Sequence, residues 1–292
     1  MPDFYSTPAR CARARERLRN QMLKEVLVRE LNRELDELDE ALRDRLPANV
    51  NSSQSKKLIK GFEGELARYF DDLGSAILKL DLSRVYSKYV KEALFDDISS
   101  IVGSIINGMN ADLRSILVGN VARAYFQGST EIITWGRTQG GIPIAFEGPP
   151  MQQAIDWADN YGAQLVTKMD DESKSRIAKI ISDGIENKRG VDGIRRDLMA
   201  EFEDMSKTRA QMIAHTETGN ALGQSFLDRS NDMGVTGKRW ILGAGGREGN
   251  CQDCIDNANA GVIPIDEMFP SGVETVLAHP NCTCAVAPVM IR

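Results

Sequence analysis

Apolar residues recur at helical spacing along most of the chain. From about Ala9 to Leu46 there is neither Gly nor Pro, and Val28, Leu31, Leu35, Leu38 and Leu42 fall at alternating three- and four-residue steps, a heptad seam about two repeats long. That predicts a helix laid on the rest of the protein or on a partner helix. Pro47 to Ser53 reads as a turn-rich break. A second helical region follows, in which Ile98, Ile101, Val102, Ile105, Ile106, Met109, Leu113, Ile116 and Leu117 trace one face. Gly103, Gly108 and Gly119 punctuate that face and predict kinks or close helix contacts. Thr138 to Pro150, rich in Gly and Pro, reads as a connector.

Helical patterning resumes from Met151 to Gly234, with breaks expected near Met169-Asp170-Asp171 and near Lys188 to Asp192. Ile177, Ile180, Ile181 and Ile185 form one stripe; Ile194, Leu198 and Phe202 form another, on a short helix that Asp192 is placed to cap. Ser206 is placed to cap the last helix, and Gly234 to end it. Beyond Gly237 the pattern changes. Short β-prone pieces (Arg239 to Leu242, Val262-Ile263, Ala285 to Ala287) alternate with Gly- and Asn-rich loops. The expected fold is mainly α, a multi-helix body with a small C-terminal α+β or irregular module of zinc-binding type. The expected regions are 1–47, 48–140, 151–235 and 236–292.

Composition adds constraints. A formal net charge of −6 argues against a protein whose whole surface coats nucleic acid. The local exception is the basic start of the first helix, where Arg10, Arg13, Arg15, Arg17 and Arg19 are offset by Glu16 alone; a phosphate backbone or an acidic partner is the contact such a run would make. The N-terminus has no apolar stretch of secretory type, and no run is long enough for a membrane span, so a cytoplasmic site of synthesis and assembly is expected.

Cysteine placement carries the strongest chemistry. Cys11 stands alone, whereas Cys251, Cys254, Cys282 and Cys284 cluster near the end beside His279. A CxxC turn lets two thiolates converge on one tetrahedral ion, and a second pair from a distant loop completes four ligands. Five donors compete for four places, so the set reads as Cys251, Cys254 and Cys282 with either His279 or Cys284. A disulfide remains a second reading. A redox CxxC usually opens a helix after a core strand, and the loop Gly243 to Asn250 does not suggest that setting. A terminal segment poor in large apolar side chains needs a staple, which a structural zinc ion supplies. The only histidines are His215 and His279, and no GxSxG, HExxH, P-loop or GxGxxG pattern occurs, so no catalytic residues and no enzyme activity are expected.

Lys207 to Glu217, then Asn220-Ala221, Gly234, Lys238 and Trp240, followed by the CxxC, Phe269 to Gly272 and His279 to Cys284, resemble in order the signature of the Mu protein F-like minor head proteins of tailed bacteriophages. Members generally read Arg-Thr-Glu where this chain has His215-Thr216-Glu217, and commonly carry Arg where it has Thr283. The resemblance implies a virion protein of head morphogenesis, linked to the portal or the major shell and to DNA packaging or delivery. Within the signature helix, Ile213, Glu217, Asn220 and Gln224 share one face, while Met212, Leu222, Phe226 and Met233 are expected to point toward a core. Glu217 and Asn220 are expected to bind backbone groups of the C-terminal loops, whose amides need partners. A zinc-dependent hydrolase or toxin domain, and a cellular zinc-binding adaptor, are the rival classes.

Overall fold

The computed structural model describes residues 46–92, 95–141, 151–243 and 249–291. The heptad seam and Arg10, Arg13, Arg15, Arg17 and Arg19 therefore lie outside the described residues, as does most of the 138–150 connector. From Leu46 onward the chain forms one compact unit. It is mainly helical, with a small sheet toward the C-terminus.

The turn at 46–52 ends on Ser52, whose hydroxyl accepts from Ser55 N (3.1 Å) and caps α1 (Ser53–Ile77). Next come α2 (Leu82–Glu92), the long α3 (Phe95–Thr138), α4 (Met151–Glu186) and α5 (Gly190–Asp204). A single π-helical turn, Met205–Arg209, then leads into α6 (Ala210–Asp232). α3 lies along both α4 and α6, and α1 packs on α6 and α3. Phe62, Leu66 and Phe70 of α1, Val102, Leu113 and Leu117 of α3, and the Ile177–Ile181–Ile185 stripe of α4 share one core with Ile194, Leu198 and Phe202.

Several expected boundaries move. α3 runs unbroken through Gly103, Gly108 and Gly119, and Ile101 of its apolar face is exposed. α4 runs unbroken through Met169-Asp170-Asp171 because Met169 is buried in the core. Asp192 lies in the first turn of α5 rather than capping it: the helix begins earlier, where Lys188 and Gly190 take positive φ (53° and 69°). Ser206 does not cap α6 but lies inside the π turn. That wider turn buries Met205 and Arg209 together. The Arg209 guanidinium donates to Ser173 Oγ (2.9 Å), pairs with Glu172 (3.0 Å) and sits 5.4 Å above the Phe70 ring.

The C-terminal module holds the three strands the sequence predicts. β1 (Gly237–Ile241) is central, β2 (Val262–Pro264) and β3 (Ala285–Val289) flank it, and both pairings are antiparallel. One helix was not expected, α7 (Gln252–Asn259). The module does not stand apart. Trp240, Phe269, Cys254, Cys282, Cys284 and Val286 share a second core with Leu222 and Phe226 of α6, Ile132 of α3, and Ala48 and Val50 of the first turn.

Ala48 N donates to Glu131 Oε2 (3.0 Å), and Gln127 Nε2 donates to Glu131 Oε1 (2.7 Å). Burial outweighs these two bonds and pushes the Glu131 carboxyl up to about 7. The folded state thus holds a proton that the unfolded chain releases near 4.5, so stability falls as pH rises from about 4.5 through about 7. Chemical denaturation of the wild type and Glu131→Gln across pH 5–8 should differ in slope, the wild type losing roughly 2 kcal/mol more over that range. Parallel profiles would contradict this.

Candidate metal centre

Cys251 is the N-cap of α7, its sulfur accepting from Cys254 N (3.4 Å). The CxxC thus begins a helix after all, and one turn of that helix places Cys251 and Cys254 on the same side. The other donors arrive on the segment leading into β3. His279 carbonyl accepts from Cys282 N (3.1 Å), a tight turn that brings His279 and Cys282 to Cys254. Cys254 Sγ lies 3.6 Å from His279 Nε2 and 3.6 Å from Cys282 Sγ.

Cys251, Cys254 and His279 form one trio of mutually close donor atoms, and Cys254, Cys282 and Cys284 form another, each within 4.8 Å. Cys254 belongs to both. A tetrahedral ion with bonds of about 2.0–2.3 Å spaces its donors roughly 3.3–3.8 Å apart, a spacing that each of the two Cys254 distances matches, while His279 and Cys282 belong to different trios. His279 Nδ1 meets the Pro280 carbonyl at 2.8 Å. A carbonyl only accepts, so the proton sits on Nδ1 and the Nε2 lone pair faces the thiols, the ring orientation a metal ligand requires. The cluster can hold a metal ion.

The electrostatics of the thiols agree. Burial, then the contact with Cys251, pushes the Cys254 thiol up to about 12. Cys282 is also raised, first by its hydrogen bond to Cys284 and then by burial. Cys284 is lowered, first because Cys282 donates to it and then by the Gly243 N–H, 3.5 Å from its sulfur. The Trp240 indole N–H, buried without another acceptor, acts on Cys284 in the same direction. These outer contacts come from the end of β1. Asn51 of the first turn adds another, donating to the Thr283 carbonyl (2.7 Å) between the last two cysteines.

Two further pairs complete the module. Asn257 of α7 donates to Ser271 Oγ (2.8 Å) and accepts from Ser271 N (3.0 Å), which ties the CxxC helix to the Phe269–Gly272 loop. Lys238, fully buried in β1, donates to the Ile265 carbonyl (2.8 Å) and lies 5.4 Å from the Phe269 ring centroid; burial lowers its pKa.

The five sequence-predicted metal donors fall into two trios joined at Cys254. Glu217 and Asn220 go elsewhere. Instead of C-terminal loop amides they face α4, where Glu217 accepts from Tyr161 Oη (2.7 Å) and from Asn220 Nδ2 (3.2 Å). Tyr161 stacks on Trp157 at 4.7 Å. Burial raises the Glu217 pKa, and its two donors only partly offset that. Met212, expected in the core, is exposed, while Leu222 and Phe226 are buried. The contacts from Asn51, Trp240 and Gly243 were not foreseen, since nothing in their spacing relates them to the cysteines.

Fold and site together define a mainly helical protein whose C-terminal module gathers four cysteines and a histidine beside a three-stranded sheet. Compared with models of known families, with curated proteins and with solved structures, the chain matches none of them.

Proposed function

We propose that this chain is a minor head protein of a tailed bacteriophage, and that a structural zinc ion clasps its C-terminal module. The reading rests on one observation. Of the residues that carry the likeness to Mu protein F-like proteins, Trp240, Phe269, Cys254, Cys282 and Cys284 share one core, and the helix that bears the first part of the signature packs on it through Leu222 and Phe226.

A Cys-rich donor cluster with three buried cysteines suits a closed, structural site, and the reading assigns no catalytic residue. In the virion the chain would contact the portal protein, the major capsid protein or both, with Arg10, Arg13, Arg15, Arg17 and Arg19 reaching packaged DNA or an acidic partner.

Metal analysis of the purified chain should return one zinc per chain, and averaged images of the virion should place the chain at the portal vertex or inner shell. A metal-free native protein would remove the zinc half of the proposal; virions without the chain would remove the other. A bound ion with a vacant coordination position beside a carboxylate would favour a hydrolase instead. The arm makes its own prediction. DNA retention should weaken steeply with salt and should be lost when Arg13, Arg15, Arg17 and Arg19 become Gln. Unchanged retention in that variant would refute the DNA contact.

A further inference from the structure

A groove of about 270 Å³ opens between α1 and α3. Each helix faces it with residues one turn apart: Glu65, Tyr69 and Asp72 on α1, and Met109, Asp112 and Ile116 on α3. Its charge is one-sided once the internal pairings are counted. Glu65 accepts from Asn120 Nδ2 (2.8 Å) and pairs with Arg123 (3.8 Å). Arg68, the cation among the lining residues, is turned along its own helix, its Nε donating to the Gly64 carbonyl (3.2 Å). Asp72 and Asp112 are exposed, and neither carboxylate forms an ion pair or a hydrogen bond among the described residues.

Tyr69 is the second observation. It is only 4% exposed, yet it lines the groove, and its hydroxyl has no hydrogen-bond partner among the described residues. Buried polar groups normally have one. Burial and the nearby carboxylates of Asp170 and Asp112 outweigh Arg209 and raise the Tyr69 pKa. The hydroxyl therefore keeps its proton, and its lone pairs are free to accept.

We infer that this groove binds a primary alkylammonium group, its N–H donors shared among Asp72, Asp112 and the Tyr69 hydroxyl and its alkyl stem lying on Met109 and Ile116. A primary ammonium carries three donors and no acceptor, and the groove offers it three acceptors that no group of the chain uses. Met109 and Ile116, both half-buried, give the stem apolar surface that a bare inorganic cation could not cover. The carboxylates also fail to converge as the ligands of a divalent ion do: among the described residues, Glu65, Asp72 and Asp112 form no group of mutually close donors. The inference does not depend on the zinc or virion readings.

The test follows the six tyrosine ring NMR signals of the full-length, metal-replete protein, that of Tyr69 being identified by its loss in Tyr69→Phe. The probe is n-butylammonium, with tetramethylammonium, which has the charge but no N–H, and calcium as comparisons. The expected result is a saturable shift of the Tyr69 signal at millimolar n-butylammonium, with tetramethylammonium binding about fivefold more weakly. Asp112→Asn, on an exposed side chain, should weaken n-butylammonium by about fivefold at an unchanged melting temperature, the size of an exposed ion pair. No saturable shift, equal binding of tetramethylammonium, or full binding by Asp112→Asn would overturn the inference. A calcium response as large as that of n-butylammonium would make this a metal site and overturn it too. Acetyl-lysine methylamide then separates the sources. Binding as tight as that of n-butylammonium assigns the group to a lysine of a partner chain, and failure to bind assigns it to a free amine; both uphold the site.

Discussion

Cys254→Ser should reduce the bound metal from one ion per chain to none and leave residues 237–291 open to proteolysis while the helical body stays folded. Cys254 is the one donor common to both trios, so it alone stands close to the donors on both sides of the cluster. Structural zinc contributes on the order of 10 kcal/mol to modules that cannot fold without it, far more than a small three-stranded sheet recovers by burial. The body has its own core of α1, α3, α4 and α5 side chains, which explains why the loss should stay local. The remaining donors sharpen the test: of Cys251, His279, Cys282 and Cys284, one substitution should spare the metal and three should lose it. Two dispensable donors would defeat a single four-coordinate ion. Loading should also release protons and strengthen as pH rises, because Cys254, at about 12, and Cys282, also raised, must shed theirs to bind. That dependence runs opposite to the Glu131 effect, so the two are separable by comparing metal-loaded with chelated protein.

The pattern of the sequence disclosed this site because its two ingredients are local. CxxC and the His279–Cys284 run each place their donors within one turn of chain, and only their meeting required the fold. The strands were legible for the same reason: Arg239 to Leu242 and Ala285 to Ala287 are short β-prone runs between glycine and asparagine loops. Where the reading missed, long-range partners decided. Met169-Asp170-Asp171 looks like a helix break, yet Met169 is buried in the core, and Asp170, hydrogen-bonded to Asn110, is pushed by burial to about 6 and carried at the α3–α4 contact. Glu217 needed a donor, and the donor is a tyrosine 56 positions earlier on another helix. No periodicity announces such a pair. α7 was missed because eight residues are too few for a period to declare itself. The resemblance placed α6, β1 and the cysteines in order but gave no account of the first turn, where Ala48, Val50 and Asn51 reach the same core and the same loop.

Gly223→Ala should destabilise the protein by about 2 kcal/mol or more, against the usual sign for a helix interior. In an exposed helix that substitution gains up to about 1 kcal/mol, and Gly64→Ala, with nothing within 4 Å, should show such a gain. At Gly223 the added methyl would lie 2.3 Å from the Val276 carbonyl oxygen and 2.9 Å from Thr275 Cγ2. A backbone carbonyl cannot rotate aside as a side-chain tip can, so the 275–277 segment or α6 itself must move, and forced overpacking typically costs 1–3 kcal/mol. A Cβ on Gly219, one turn earlier, would lie 2.8 Å from Leu277, so this glycine belongs to the same seam. This seam joins the signature helix to the loop that delivers His279 and Cys282. The metal donors all lie inside the module, however, so Gly223→Ala should keep its ion while its melting temperature drops and the 275–277 segment gains protease sensitivity. A variant as stable as the wild type would mean that α6 does not hold the module through these glycines. A variant that loses its metal would mean that docking on α6, and not the ion alone, shapes the clasp.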